Sequence, residues 1–165
     1  MINKYSIKRF ASISAIAFVL FATTSFTNCD TKPKWQSLFD GKTLNNWKVG
    51  DNAASFKVED GSIVVNGQVA HIFYDGDISN HRFKNFEFKA EVKTMPHANS
   101  GIYFHTQFQQ GGWPSKGYEV QVNNSHTDWR RTGSLYAVQD GNETYVGDNE
   151  WYTGQIKVEG KRVIG

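Results

Sequence analysis

Three observations predict an all-β fold for this sequence. Aromatic residues make up 15% of the chain, more than a disordered chain carries, and they fall in runs rich in Val, Ile, Phe and Tyr. Turn dipeptides such as Asp60-Gly61 punctuate those runs, and no segment of helix length shows a helical period. The strands they predict are many, short and nearly evenly spaced, which favours a sandwich or jelly roll. With 165 residues, 15 Gly and only 3 Pro, the chain suits one domain with its own core.

The first 29 residues stand apart. MINKYSIKRF places Lys4, Lys8 and Arg9 ahead of the apolar ASISAIAFVLFATTSF, which is the layout of a secretory signal peptide. That run is short and dotted with Ser and Thr, whereas a membrane-spanning helix needs about 20 mostly apolar residues. Cys29 is the single cysteine, so no intramolecular disulfide is available. Its place at the end of the leader matches the acylated first residue of a bacterial lipoprotein, although Phe26 and Asn28 depart from the usual aliphatic and small residues before it. The expectation is an exported, cell-envelope protein that meets the membrane only through lipid on Cys29, with residues 30–34 as a polar tether. Once the leader's cations are set aside, the formal charge of +2 becomes 15 basic against 16 acidic residues. With no basic stripe and no phosphate-binding loop, nucleic acid is not an expected partner.

The domain then spans residues 35–165. LFDGKTLNNW carries a turn at Asp40-Gly41, and SFKVEDGSIVVNG reads as a hairpin about Asp60-Gly61. HIFYD reads as a strand. NFEFKAEVKTM alternates most clearly, with Phe86, Phe88, Ala90 and Val92 expected inward and Glu87, Lys89, Glu91 and Lys93 toward water. SGIYFHTQF, GYEVQVNN, SLYAVQ and WYTGQIKVEG follow as further strands. VEGKRVIG opens one more hairpin at Gly160-Lys161 and stops after a short return, which leaves Gln155 to Glu159 short of a neighbour and predicts a chain truncated at its C-terminus.

Two strands offer an unusual polar face. By strand parity, Tyr103, His105 and Gln107 point away from Ile102, Phe104 and Thr106, while Glu119, Gln121 and Asn123 point away from Tyr118, Val120 and Val122. Amides and a carboxylate beside rings are the mix that binds sugar hydroxyls and C–H faces. An exposed antiparallel sheet also shows polar residues to solvent for solubility alone, so parity by itself leaves both readings open. Trp113, in GGWPSKG, fits a sugar platform or a plug at one end of the core, while Trp35, Trp47 and Trp151 fit packing. His71, His81, His97 and His126 show no ligand spacing that would define a metal site.

The blocks LFDGKTLNNW, FKVEDGSIVV, NFEFKAEVKT, NSGIYFHTQ, GYEVQVNN, TGSLYAV and NEWYTGQIKVEGKRV, in this order, resemble the 3-keto-disaccharide hydrolase domain family. The resemblance covers residues 35–165 and implies a concanavalin-A-like jelly roll, a sandwich of two antiparallel sheets. Two departures stand out: His105 occupies a position where the family often has Arg, and the chain stops after KRV where the family continues with another strand.

The resemblance implies cleavage of glycosides already oxidised to a ketone at sugar C3. That ketone acidifies the C2 hydrogen, so a base can remove it, the C1 aglycone leaves by elimination, and water adds to the enone. Glu119 is the expected base, as the only carboxylate on its strand among uncharged neighbours. His105 is the expected acid or enolate-stabilising partner, through a divalent metal if one is used. Tyr103, Trp113, Gln121, Asn123, Arg131 and Tyr136 are expected to hold the sugar. A lectin-like carbohydrate-binding module without turnover is the alternative, and it is distinguished by whether Glu119 is enclosed or merely exposed.

Overall fold

The computed structural model describes residues 3–7 and 34–165. Cys29, most of the expected leader and most of the tether lie outside the described residues. The strands are β1 (Asn3–Ile7), β2 (Gln36–Ser37), β3 (Trp47–Val49), β4 (Phe56–Glu59), β5 (Ser62–Val65), β6 (Ile72–Tyr74), β7 (Phe86–Lys93), β8 (Ser100–Phe104), β9 (Tyr118–Val122), β10 (Trp151–Glu159) and β11 (Arg162–Ile164). The helical structure among the described residues is two single-turn 3-10 segments, so the class is all-β as expected. No helix among the described residues is long and apolar enough to cross a membrane.

The strands assemble into one five-stranded sheet, in the order β11-β10-β7-β1-β2, and three two-stranded antiparallel ribbons, β3-β6, β4-β5 and β8-β9. The ribbons stand where a second continuous sheet was expected. β1, which falls inside the expected leader, runs parallel to both β7 and β2. The Asp60-Gly61 hairpin forms as predicted, because both turn residues take the left-handed conformation (φ 48° and 71°) that matches the twist of the flanking strands.

The core gathers Leu38, Phe86, Phe104, Val120, Ile156 and Val158. β10 shows how sequence period becomes packing. Ile156 and Val158, at 1% and 0% exposure, point into the core, while Gln155 between the strand's outer residues faces water. β7 follows the same alternation only in part, with Lys89 as half-buried as Phe88 and Glu87 buried. Glu87 is 9% exposed, because strands flank β7 on both sides and bring Lys4 and Lys157 to 3.2 and 3.8 Å from its carboxylate.

Three other expectations change. SLYAVQ is not a strand: it touches β9 through one bridge, Val120 to Leu135, and then turns back on itself through Leu135 and Gln139, with Ala137 at φ 58°. Trp151 is 51% exposed against Lys93 and does not pack inside. At the other end, β11 pairs with Lys157, Val158 and Glu159, so Lys157 and Val158 have strand neighbours on both sides, while Gln155 and Ile156 pair with β7 alone.

Ile156→Ala removes a core side chain at a position where rigid sheet surrounds the gap, and should cost about 2–5 kcal/mol. Urea unfolding followed by fluorescence should show a lower midpoint with unchanged slope. Loss below about 1 kcal/mol would contradict this placement of the core.

Candidate functional site

The site is built on the β8-β9 ribbon. In its register Tyr103 stands opposite Glu119 and Gly101 opposite Gln121. Directly opposite and diagonal side chains on one face of such a pair are in reach of each other. Glu119, Tyr103, Trp113 and Tyr136 accordingly line one pocket of ≈ 210 Å³, together with Pro114, Ser115 and Gly117.

Glu119 is 8% exposed, so the enclosed alternative is the one realised. Burial pushes its carboxyl above the ordinary carboxylate range. Hydrogen bonds from the Tyr103 hydroxyl and the Trp113 indole pull the other way, and the charge of Asp128 adds a further upward push. The Trp113 Nε1–H also donates to the Tyr103 hydroxyl oxygen at 2.8 Å. The Tyr103 phenol is itself pushed far up, first by burial and then by the neighbouring Glu119 charge, so it stays protonated and remains a donor.

Gly101 is the residue that parity reasoning passed over. A Cβ built there would lie 2.1 Å from Glu119 Oε1, 2.6 Å from Cγ and 2.7 Å from the carboxyl carbon. The carboxylate therefore rests on the bare backbone of β8, in space that any side chain would fill. The only signal in the sequence is the Gly in NSGI, two residues before the tyrosine that faces the same carboxylate.

The structure does not bring His105 into this pocket. β8 ends at Phe104, and His105 takes a left-handed backbone (φ 51°) that breaks the strand alternation on which the parity argument rests. Its ring turns toward the core side, with centroids 5.4 Å from Phe104 and 6.1 Å from Phe86, and Nε2 lies 3.0 Å from the carbonyl oxygen of Lys84. His105 is exposed and borders a wider cleft of ≈ 2540 Å³ that also reaches Glu119, but it does not line the pocket itself. The histidine that does approach is His71, whose ring stands edge-on to Tyr103 at 5.6 Å and whose pKa burial lowers.

Of the expected sugar ligands, Asn123 and Arg131 spend their hydrogen bonds within the protein, and Gln121 spends those of its amide nitrogen. Asn123 is fully buried, and its amide donates to the carbonyls of Asp128 and Arg130 at 3.0 and 2.7 Å while its oxygen accepts the His126 N–H at 2.8 Å. The Arg131 guanidinium donates to the His126 and Asp128 carbonyls. Gln121, 2% exposed, donates to Asn99 Oδ1 at 2.7 Å and to the Ser100 carbonyl at 3.2 Å. These are the partners that hold a loop together without a sheet ladder. Tyr103, Trp113 and Tyr136 stay with Glu119.

Among the described residues no three His, Cys, Asp or Glu side chains converge to hold a metal ion. The groups against the Glu119 carboxylate are a phenol and an indole, and an indole N–H offers a cation no lone pair. This donor set does not fit a divalent metal, and no step below runs through one.

Comparison with known proteins agrees with this architecture. The model of the 3-keto-alpha-glucoside-1,2-lyase-like domain matches residues 34–164. A 3-keto-disaccharide hydrolase of Bacteroides thetaiotaomicron is 41% identical over 78 residues, which cover 43% of this chain and 27% of that protein. A crystal structure of a candidate glycosyl hydrolase from Parabacteroides distasonis superposes with a TM-score of 0.61 at 25% identity, over 76% of this chain and 64% of that one. The chain thus spans about a quarter of the first relative and under two thirds of the second. With the family model running from the tether to the last strand, this chain belongs to the family of 3-keto-alpha-glucoside-1,2-lyase-like domains.

Proposed function

We propose that the protein cleaves 3-keto-glycosides, with Glu119 as the base that removes the C2 proton. The observation that carries this reading is a lone carboxylate enclosed in a sugar-sized pocket, with its basicity raised by burial and its position held by Tyr103 and Trp113. A lectin gains nothing from a desolvated carboxylate of raised pKa, because hydroxyl recognition works with an ordinary solvated one. Family membership and the Bacteroides relative support the same chemistry.

In the proposed reaction Glu119 takes the C2 proton, the C–H electron pair becomes the C1–C2 double bond as the C1–O bond breaks, and the aglycone leaves with that oxygen. The departing oxygen acquires a proton, and water then adds its hydroxyl at C1 and its hydrogen at C2 to give the free 3-keto sugar. The Tyr103 hydroxyl, kept protonated, and the Trp113 N–H are the donors beside the reacting carboxylate. His105 has no role in this scheme. Its distance from the pocket makes the family's usual arginine position, in this chain, a wall of the outer cleft.

We also propose that the chain is exported and lipidated at Cys29, on the strength of the leader's layout. Radiolabelled palmitate should enter the protein in a bacterial host and fail to enter Cys29→Ala. Equal labelling of the two would end that proposal.

Glu119→Gln removes the base while keeping the shape of the side chain. Release of aglycone from a 3-keto-glucoside should fall at least about 10²-fold, while His105→Ala should stay within about threefold of the parent. A Glu119→Gln protein with near-normal turnover removes the elimination scheme.

The base must be ionised to act, and burial raises its pKa in the folded protein above the ordinary carboxylate range. Activity should therefore be present at neutral pH and be lost as pH falls, with the acid limb of kcat/KM above the ordinary carboxylate range. Gly101→Ala pushes the carboxylate off the β8 backbone toward solvent, so its desolvation lessens and its pKa drops. The acid limb should move to lower pH and kcat should fall about 10-fold or more. A profile that scales down without shifting would show that Gly101 serves only the fold.

A further inference from the structure

The proposed reaction has two halves, and Glu119 can serve as base in only one of them. After the elimination it carries the proton taken from C2, so it cannot also take one from the water that adds to the enone. Hydration calls for a second base near the first. The wider cleft that reaches Glu119 is bordered by five other carboxylates, those of Glu59, Asp60, Asp75, Glu91 and Asp128. Burial is the main influence that raises the Glu119 carboxyl, and of these five only the charge of Asp128 adds to it, which puts the two groups within electrostatic reach of each other. The others are engaged elsewhere. Glu59 pairs with Lys57 at 2.6 Å, Asp60 forms the β4-β5 turn, Asp75 faces His81 at 3.7 Å, and Glu91 accepts the Thr153 hydroxyl at 2.8 Å.

Asp128 is also held in one position. Its backbone carbonyl accepts the Asn123 amide at 3.0 Å and the Arg131 guanidinium, and its N–H donates to His126 Nδ1 at 3.1 Å. Oδ1 accepts the Arg130 N–H at 3.0 Å and lies 3.5 Å from the Nη1 of the same residue. No donor among the described residues reaches Oδ2. The side chain keeps 24% of its surface open. It is thus a fixed carboxylate with one oxygen free to accept a proton.

We infer that Asp128 is the base of the second half-reaction, the residue that activates the water added at C1. This rests on the proposed elimination, whose product it consumes. The water O–H bond breaks and its proton goes to Asp128. The oxygen forms its bond to C1, the C1–C2 π pair shifts to form the C2–C3 enolate, and the enolate takes the proton back from Glu119 at C2. The aglycone oxygen has already taken a proton from solvent, and Asp128 then releases one to solvent, so the sum is one water consumed. Each carboxylate ends as it began, and the two divide the base work between proton removal from carbon and from water.

The test follows the two halves separately in the full chain. Aglycone release and formation of 3-keto-glucose are measured from methyl 3-keto-glucoside, and hydration is measured alone with the enone, 2-hydroxy-3-keto-glucal, as substrate. Asp128→Asn keeps the shape of the side chain and an acceptor for the Arg130 N–H. It should leave aglycone release within about threefold of the parent, slow hydration about 10²-fold, and let the enone accumulate, visible by its ultraviolet absorbance. Asp140→Asn, which alters the other carboxylate on Arg130 outside the cleft, should change neither half. Should Asp128→Asn show no cooperative melt, Asp128→Ser takes its place, because a hydroxyl can accept the same N–H. Equal losses in both halves, or hydration by the folded variant at the parent's rate, would overturn the assignment. A parent that releases aglycone but hydrates the enone no faster than water alone sinks Asp128 and spares Glu119. A parent that hydrates the enone through Asp128 yet releases no aglycone does the reverse.

Discussion

The site depends on one register. Because Tyr103 pairs with Glu119 across the β8-β9 ribbon, the phenol stands opposite the carboxylate and the bare backbone of Gly101 lies diagonally beneath it. A slip of one residue would turn Glu119 to the core side with Phe104 and Val120, where a carboxylate has no donors. The same pairing fixes the core, since Phe104 and Val120 on the opposite face belong to the central cluster with Ile156 and Val158. Packing and chemistry are therefore two sides of one ribbon. What holds the apolar face in place also aims the polar one.

Sequence periodicity carried the elements whose side chains alternate and whose turns need special residues. β7, β10 and the Asp60-Gly61 hairpin were legible for that reason, and so was the face of β9 that bears Glu119. Parity failed where the backbone left the strand conformation. His105 lies one residue beyond β8 with positive φ, and a histidine in that conformation leaves no periodic signature. Nor does residue type distinguish an amide that binds sugar from one that binds carbonyls. Asn123 lies off the apolar face as expected, but the carbonyls of its own loop have first claim on its amide.

The loop from Asn123 to Arg131 illustrates why such amides are needed. It carries no ladder of its own, yet its carbonyls at His126, Asp128 and Arg130 are met by side chains of Asn123 and Arg131, and Thr132 closes it back onto Asn123. Each buried carbonyl left unmet would cost about 1–3 kcal/mol, so a few polar side chains here do the work of a strand pair. The consequence is a loop stiff enough to hold a half-exposed tryptophan at a set distance from the pocket. Asparagine and arginine thus shape the surface without touching it.

The opposing influences on Glu119 explain why its pocket combines burial with donors. Burial alone favours the protonated acid, and an unionised acid removes no proton. Donors alone, as in a solvated surface carboxylate, would leave a base too weak to take hydrogen from carbon. The Tyr103 hydroxyl and the Trp113 N–H offset part of the desolvation, and because both donors are pinned to each other they do so at fixed positions. The missing side chain at Gly101 then leaves the space in which the carboxylate lies against β8. Basicity and aim are set by the same three neighbours, so neither can be tuned by substitution without moving the other.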